Sequence, residues 1–275
     1  MRAPEAALRK YVRIFRVSLI ERLTYRGDFL LGTILRFLPM ITTILLWQAI
    51  YMASGRTSLA GFDFHQMIAY LLLVQISRMF SSMPNLAGGI ARDIREGTLK
   101  RYLIQPLDMI WYLLAYRVAH KTAYIVSSAL PYAVLFFVCH RYFDALPTDP
   151  WTWLAYAASL ILAFLVGFFF EVSVGMVGFW FLEVTSLLYI VMTLNFFISG
   201  HMLPLDLLPP YWVWVLKLLP FQYMAYFPAV VILGKVKGID LVYGLLGGLA
   251  WVLVFLMLAR GLFRIGLRRY SAFGG

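Results

Sequence analysis

The chain has 275 residues, of which 62% are hydrophobic and 13% are charged, and its mean hydropathy is +0.80. Soluble domains carry about 25% charged residues, so the composition excludes a soluble protein and predicts an integral membrane protein. The formal net charge of +11 comes from Lys and Arg at the ends of apolar runs, which argues against nucleic-acid binding. The single cysteine, Cys139, excludes an intramolecular disulfide and a cysteine-built metal site.

Residues 1–27 have the pattern of an amphipathic helix. Five apolar residues recur at steps of three and four, which places them along one helix face: Leu8, Val12, Phe15, Leu19 and Leu23. Arg9, Arg13 and Arg16 fall on another face. We expect such a helix to lie in the inner headgroup layer, with its arginines toward anionic lipid. The alternative is a basic tail that only helps to set the topology.

Six apolar runs predict the membrane-crossing helices. A crossing needs about 20 apolar residues, because unpaired backbone groups are not tolerated in lipid. The runs are 29–53, 64–83, 110–140, 151–173, 181–201 and 241–263. The predicted fold is therefore an all-α polytopic membrane protein with six transmembrane helices. We expect one transmembrane domain over 1–275, with an amphipathic helix at 1–27, a six-span bundle at 29–263 and a cytosolic tail at 264–275.

The positions of Lys and Arg predict the orientation of this bundle. Six crossings place both termini on one side, together with the loops after the second and fourth spans. The third run is overlong, and we expect it to begin as a cytosolic or interfacial helix with Arg117 and Lys121 and to enter lipid near Thr122. With these two included, seventeen of the 24 Lys and Arg lie on the side of the termini, and Arg36 and Arg78 lie within the first two spans. The five on the opposite side are Arg56, Arg141, Lys217, Lys235 and Lys237. The positive-inside rule then predicts that both termini are cytosolic.

A charge-dense segment interrupts the apolar runs between Pro84 and Pro106. Its residues are Arg92, Asp93, Ile94, Arg95, Glu96, Gly97, Thr98, Leu99, Lys100 and Arg101. Arg92 and Arg95, and Glu96 and Lys100, have the spacing of neighbours on a helix surface, although Gly97 weakens the helix midway. A short cytosolic helix of this kind is suited to dock in a groove on a soluble protein. The alternative is a solvated loop.

Five prolines cut the apolar stretch 203–233 into pieces too short to cross a bilayer. They are Pro204, Pro209, Pro210, Pro220 and Pro228. We expect two short helices, 211–219 and 221–233, that dip into the outer leaflet. Five aromatic residues suit the headgroup boundary: Tyr211, Trp212, Trp214, Tyr223 and Tyr226. Lys217 is expected to extend its amine to water.

Polar residues within the membrane are costly and mark candidate pathway positions. Glu171 and Glu183 flank the connection between the fourth and fifth spans. They either line an inner vestibule or are wetted turn residues, and we favour the second interpretation. Asn195 and Ser199 lie near the outer end of the fifth span, with His201 beside them. These residues either face a pathway or bond to a neighbouring helix.

The sequence carries no motif for catalysis or for a cofactor. It contains neither a G-x-x-x-x-G-K-[ST] loop, which would hold ATP phosphates, nor an H-E-x-x-H metal motif. The four histidines are dispersed without metal-ligand spacing: His65, His120, His140 and His201. We therefore predict a subunit that is not an enzyme, with no catalytic, cofactor-binding or metal-binding residues of its own.

Several stretches carry a family resemblance. They read IREGTL at 94–99 with QPL at 105–107, LPLDLLPP at 203–210, LPFQYMAYFP at 219–228, and RRYSAFGG at 268–275. The Arg-rich leader ending in YRGDF at 25–29 also fits. In this order they resemble type-2 ATP-binding-cassette (ABC) permeases, the membrane subunits of many bacterial exporters, and among these a branch of largely uncharacterised members.

The resemblance implies roles for two sets of residues. A coupling helix between spans two and three would contact an ATPase through Arg92, Asp93, Ile94, Arg95, Glu96, Gly97, Thr98 and Leu99, with Ile94 and Leu99 supplying the apolar contact. Short re-entrant helices before span six would help to close the outer mouth of the pathway. This outer gate would comprise Pro204, Pro209, Pro210, Trp212, Trp214, Pro220, Phe221 and Tyr226. The residues alone support an aromatic anchor without a gating role equally well.

The implied function is that of an exporter permease in the bacterial cytoplasmic (inner) membrane. Two such subunits, identical or paired, would form the pathway in contact with lipid, and separate cytosolic ABC ATPase subunits would bind ATP and Mg. The alternatives are a polytopic membrane enzyme acting on a lipid-linked or membrane substrate, and a secondary carrier. The enzyme would need a convergent polar site and the carrier would need mid-membrane carboxylates, and the sequence suggests neither. The fold does not choose the cargo.

Overall fold

The computed structural model describes residues 2–24, 26–143, 146–181 and 183–270. These residues form eleven α-helices and a hairpin of two short strands, β1 (Ser58–Leu59) and β2 (Phe62–Asp63). The helices are α1 (Arg2–Thr24), α2 (Arg26–Ser54), α3 (Phe64–Ser81), α4 (Leu86–Arg95), α5 (Lys100–Leu103), α6 (Met109–Val138), α7 (Pro150–Gly175), α8 (Thr185–Ile198), α9 (Pro210–Leu218), α10 (Tyr226–Ile232) and α11 (Gly238–Leu267). Short 3₁₀ segments lie at His140–Tyr142, Met176–Phe179, Leu205–Leu207 and Pro220–Met224. The all-α prediction is confirmed.

Aspartate caps set the starts of two long helices. The Asp108 carboxylate accepts a hydrogen bond of 3.0 Å from the backbone N–H of Trp111 at the start of α6. The Asp149 carboxylate accepts one of 3.1 Å from the N–H of Thr152 at the start of α7. Pro150 occupies the first position of α7, where its missing N–H costs nothing. These caps satisfy backbone donors that the helices leave unpaired.

Backbone contacts divide the chain into two compact units. The first comprises Met1–Ser58, Asp63–Ile68 and Tyr102–Asp144. Within it, α6 packs against α1 and α2.

The apolar stripe predicted for α1 is only partly covered by protein. Arg9, Arg13 and Arg16 are exposed. Of the stripe, Val12 is 42% exposed and Phe15 and Leu19 are partly buried, while Leu8 and Leu23 lie outside the described side chains. The placement of this helix in the headgroup layer stays a prediction.

The second unit comprises Leu59–Phe62, Ala69–Arg101 and Ala145–Gly275. Its central helix is α7, which packs against α4, α10, α11 and the segment Pro220–Met224. Side chains of α7 that are fully buried there include Ala163, Val166, Phe168 and Val172. The candidate site is built around this helix.

Four segments of the described chain are long and apolar enough to cross a membrane: Phe64–Arg95, Met109–Val138, Pro150–Phe179 and Gly238–Leu267. They correspond to four of the six predicted spans. The first predicted span, 29–53, falls within α2, and the fifth, 181–201, contains α8. Because α8 has 14 residues, it rises about 21 Å, less than the roughly 30 Å of hydrocarbon. A polytopic membrane protein is confirmed, and six crossings stay a prediction.

Candidate functional site

Helix α4 carries the first four residues of the charge-dense segment, 92–95, and packs against α7. Its buried residues recur at helical spacing: Leu86, Ala87, Ile90, Ala91 and Ile94. Small residues on both partners let the backbones approach. A Cβ atom added at Gly175 would lie 2.9 Å from the carbonyl oxygen of Ala87, and one at Gly178 would lie 3.0 Å from the Cα of Ala91. These two glycines are therefore close-packing points.

The charged segment is not one helix. Helix α4 ends at Arg95, and Gly97 follows with a φ of 72°, a conformation that glycine adopts without strain. The N–H of Leu99 then bonds to the carbonyl of Asp93 at 2.9 Å, which closes the turn before α5. Glu96 therefore caps the end of α4, whereas Lys100 begins α5 on the other side of the turn. The predicted pairing of these two residues on one helix surface is wrong.

The Asp93 side chain stabilises this turn. Its carboxylate accepts a hydrogen bond of 2.8 Å from the Thr98 hydroxyl and forms an ion pair of 2.6 Å with Arg101. The Asp93 side chain is mostly buried, so its contacts are internal to the segment. Sequence spacing does not indicate this pairing with Arg101.

The segment presents charge outward and keeps its apolar residues inside. Arg92, Arg95 and Glu96 are exposed. Ile94 is 7% exposed and Leu99 is 0% exposed. The expectation that Ile94 and Leu99 supply apolar contact to a partner is corrected by the structure, because both side chains pack within the chain. They anchor the segment.

The two glutamates flanking the connection between α7 and α8 occupy different environments. Glu183 is exposed, lies 3.5 Å from Arg95, and accepts a hydrogen bond of 2.7 Å from the N–H of Thr185. Glu171 lies within α7 and is 9% exposed. The wetted-turn interpretation fits Glu183 and is wrong for Glu171.

Glu171 lines two cavities. The larger, of about 470 Å³, lies beside α4 and has Asn85, Arg92 and Arg95 among its polar residues and Leu188 and Met192 among its apolar ones. The smaller, of about 150 Å³, is lined by Arg78, Asn195 and His201 together with Glu171 and aromatic residues. The structure thus brings Glu171 and Asn195 together at one cavity and leaves Glu183 outside both.

Ser199 and His201 lie in the turn that follows α8. The Ser199 side chain is fully buried, and its hydroxyl oxygen lies 2.5 Å from Nδ1 of His201. The Ser199 carbonyl accepts from the N–H of Tyr226 at 3.1 Å. The neighbouring Gly200 carbonyl accepts from the Tyr70 hydroxyl at 2.6 Å. Of the two interpretations of Ser199, bonding to neighbouring elements fits these contacts.

The outer segment, residues 203–233, contains α9, whose ends lie within one residue of the predicted 211–219. The second predicted helix, 221–233, is instead a 3₁₀ segment at Pro220–Met224 followed by α10. The aromatic residues of the outer segment divide into two groups. Trp212 and Trp214 are exposed, at 54% and 69%, whereas Tyr223 and Tyr226 are buried inside the unit. The expectation that Tyr223 and Tyr226 face the headgroups is therefore wrong. Among the other predicted gate residues, Pro204 and Pro220 are buried, Phe221 is half-buried, and Pro209 and Pro210 are exposed.

A hydrogen-bond cluster holds this segment. The Asp206 carboxylate accepts from the Tyr226 hydroxyl at 2.6 Å and pairs with Lys217 at 2.7 Å. The Lys217 ammonium also lies 5.2 Å from the centre of the Tyr226 ring. Lys217 thus binds Asp206 while its side chain stays 40% exposed, so its expected extension to water stays a prediction. Sequence reasoning missed Asp206, since its partners are 11 and 20 positions away.

The outer segment contacts α7 and the middle of α11. The Leu218 carbonyl accepts a hydrogen bond of 3.2 Å from the indole of Trp251, about midway along α11. The Phe221 ring meets the Phe170 ring of α7 edge-on, with centres 5.4 Å apart. A Cβ at Gly248 of α11 would lie 3.2 Å from the Tyr223 ring. These contacts pack the tip of the segment between α7 and α11.

The described residues include no candidate metal centre. Among them, no three His, Cys, Asp or Glu side chains lie close enough together to hold a metal ion. What they do offer is a rigidly mounted charged segment, polar cavities beside a membrane-crossing helix, and an inserted outer segment.

Comparison with known proteins identifies the family. Residues 37–274 match the family model described as ABC-2 family transporter protein. A search of curated proteins gives no match to the chain. The matched range includes the charged segment, both cavities and the outer segment. The chain therefore belongs to the ABC-2 family of transporters, as a multi-pass membrane permease.

Proposed function

We propose that this permease is the membrane subunit of an ATP-driven exporter. Two such subunits form the translocation pathway, and separate cytosolic ATPase subunits drive it. The observation that carries the proposal is the segment Arg92–Leu99, which exposes charge to a partner while its apolar side chains fix it to α7. A segment mounted in this way transmits force, because a push on its surface is passed to a packed helix rather than absorbed by a loop.

The eight residues of the segment Arg92–Leu99 have three different roles. Arg92, Arg95 and Glu96 meet the ATPase and fix its register through charge. Asp93, Gly97 and Thr98 shape the turn, and Ile94 and Leu99 anchor it in the unit. ATP-driven closure of the partner subunits displaces α4 together with α7 and shifts the bundle between two arrangements.

The membrane arrangement follows from charge. Both termini lie in the cytosol of a bacterial cell, and the chain crosses the cytoplasmic membrane six times. Helix α1 lies in the inner headgroup layer, where Arg9, Arg13 and Arg16 meet anionic lipid. The exposure of these three arginines supports this placement.

The outer segment acts as a re-entrant gate. The hydrogen bond between Trp251 and Leu218 about midway along α11 supports insertion to mid-membrane depth. Pro204 and Pro220 fix the turns, and Phe221 and Tyr226 seal the segment against its neighbours. Trp212 and Trp214 are exposed and face lipid.

Coupling can be tested in the purified complex of permease and ATPase. Replacing Arg95 and Glu96 together with Ala is expected to lower transport-coupled ATP hydrolysis several-fold, because both side chains are exposed and leave the anchor intact. Membrane insertion and thermal stability should stay at wild-type values. Lys237→Ala, which removes an exposed charge elsewhere, serves as the control. Hydrolysis that stays coupled in the double variant would remove this segment from the mechanism.

A further inference from the structure

The smaller of the two cavities is a candidate binding site, separate from the charged segment that would contact the ATPase. Its walls come from α3, α7, α8 and the turn at His201. The His201 ring stacks on Phe196, with ring centres 5.5 Å apart and planes 12° apart. Nδ1 of the same ring is held by Ser199 at 2.5 Å. The imidazole is therefore fixed in orientation.

Two buried polar atoms at this cavity lack a protein partner among the described residues. They are Oδ1 of Asn195 and Nε2 of His201. Buried polar groups are nearly always hydrogen-bonded, because an unpaired one keeps the full cost of leaving water. Both residues line the same 150 Å³ space. An occupant that hydrogen-bonds to both would satisfy them.

The chemistry of these atoms restricts the occupant. An amide oxygen only accepts hydrogen bonds, so the occupant must donate to Asn195. The role of Nε2 depends on the proton shared between Ser199 and Nδ1: it donates if Nδ1 accepts, and accepts if Nδ1 carries the proton. A hydroxyl group serves all these cases, since it both donates and accepts. An ammonium or a phosphate serves only some of them.

The charges at the cavity also favour a neutral occupant. Glu171 is buried in one wall, and the exposed Arg78 lies at the cavity with its guanidinium 5.2 Å from the centre of the Phe196 ring. The two groups have opposite formal charge, so the site selects neither a cation nor an anion. A volume of about 150 Å³ corresponds to roughly five water molecules.

We propose that this cavity binds uncharged hydroxyl groups through Asn195 and His201. Water supplies them at rest, and a hydroxyl-bearing part of the cargo supplies them during transport. The second source rests on the proposed function, whereas hydration of the cavity does not. The cavity gives polar groups a place of low cost within otherwise apolar helices.

Radiolytic hydroxyl-radical labelling of the intact protein in lipid nanodiscs tests the site, because radicals formed from bound water oxidise nearby methionines. Met224 is 2% exposed and lines the cavity, whereas Met176 is 0% exposed and does not line it. We expect Met224 to oxidise at least fivefold faster than Met176. Equal rates for the two methionines would overturn the proposal.

Two variants identify the binding groups. Asn195→Leu and His201→Phe each remove one unpaired atom at similar volume, and each should lower the rate at Met224 toward that at Met176. His201→Phe keeps an aromatic ring against Phe196, so it covers the case in which Asn195→Leu does not fold. Ser159→Ala, a buried polar change away from the cavity, should leave the Met224 rate unchanged. Undiminished labelling in a folded His201→Phe protein would contradict the assignment.

Added solutes then distinguish the two sources. If cargo hydroxyls enter, myo-inositol should slow oxidation of Met224 saturably in the wild-type protein, and if only water binds, it should have no effect. Sodium phosphate and choline chloride are the charged probes. Protection by either salt without protection by myo-inositol would overturn the preference for uncharged groups. Coupling that persists in the Arg95 and Glu96 double variant, together with normal hydration of the cavity, would count against the exporter mechanism alone.

Discussion

At the scale of single residues, Asp93 and Glu96 show how neighbouring acids in one segment take different roles. Asp93 bonds to Thr98 and Arg101 inside the segment, whereas Glu96 is exposed beyond the end of α4. A group held by internal bonds shapes the segment, and an exposed one is available to a partner. The two contributions are therefore separable by mutation.

Asp93→Ala should loosen the turn, whereas Glu96→Ala should not. Hydrogen bonds to a charged group contribute about 1.5–3 kcal/mol, and partial exposure of Arg101 reduces this contribution. We expect backbone amides of 96–101 to exchange about tenfold faster in Asp93→Ala, as about 1.4 kcal/mol implies. Hydrogen–deuterium exchange on the isolated permease measures this. Matching rates in the two variants would refute the internal role of Asp93.

Asp206 should stabilise the outer segment through Tyr226. Asp206→Ala removes the acceptor of the Tyr226 hydroxyl and the partner of Lys217. Leaving the buried hydroxyl unpaired costs about 1–3 kcal/mol, while the partly exposed ion pair adds at most about 1 kcal/mol. Thermal unfolding in detergent should show a lower midpoint for Asp206→Ala. In Tyr226→Phe, the further loss on changing Asp206 should be much smaller, and additive losses would contradict the hydrogen bond.

Residue roles are only partly predictable from the sequence. Glu171 and Glu183 look equivalent because both stand near the ends of apolar runs, and only the course of α7 past Glu171 separates them. Folding of the outer segment brings Tyr226 and Asp206 into hydrogen-bond contact. Their spacing in the sequence does not predict this contact. Gly97, by contrast, indicates an interruption of the helix through its residue type alone, since glycine favours the left-handed turn found there.

At the scale of elements, the docking of α4 on α7 depends on small residues. Apolar periodicity and proline positions predict the long helices and the short outer ones with useful accuracy, because these signals are local. The close contact of Ala87 and Ala91 with Gly175 and Gly178 is a tertiary feature. A helix needs such residues wherever another backbone comes within van der Waals distance.

Gly175→Ala should weaken this docking. Its Cβ would lie 2.9 Å from the Ala87 carbonyl oxygen, and overpacking of this kind costs about 1–3 kcal/mol. Gly89→Ala in α4 is the matched control, since a Cβ there meets nothing within 4 Å and replacing helical Gly with Ala gains about 1 kcal/mol. Thermal unfolding of the two variants should therefore shift in opposite directions. A shift in the same direction would mean that α4 is not held by this contact.

At the scale of the whole molecule, the end of the short helix α8 is hydrogen-bonded within the protein. A helix of 14 residues cannot cross alone, yet its end is not left in lipid. The Ser199 and Gly200 carbonyls bond to Tyr226 and Tyr70, so backbone groups that leave the helix find partners within the protein. Irregular backbone is tolerated at membrane depth only under that condition.

Re-entry predicts that Leu218 lies deep in the bilayer. Its side chain is 64% exposed, while its carbonyl bonds to Trp251 about midway along α11, so the exposed surface should face lipid. A spin label at Leu218→Cys, in a protein whose only cysteine is changed by Cys139→Ser, should be relaxed more strongly by oxygen than by a water-soluble nickel chelate. A label at Lys237→Cys should show the opposite preference, because Lys237 is exposed at the start of α11. Strong relaxation of the Leu218 label by the nickel chelate would place the segment at the water interface and exclude a re-entrant gate.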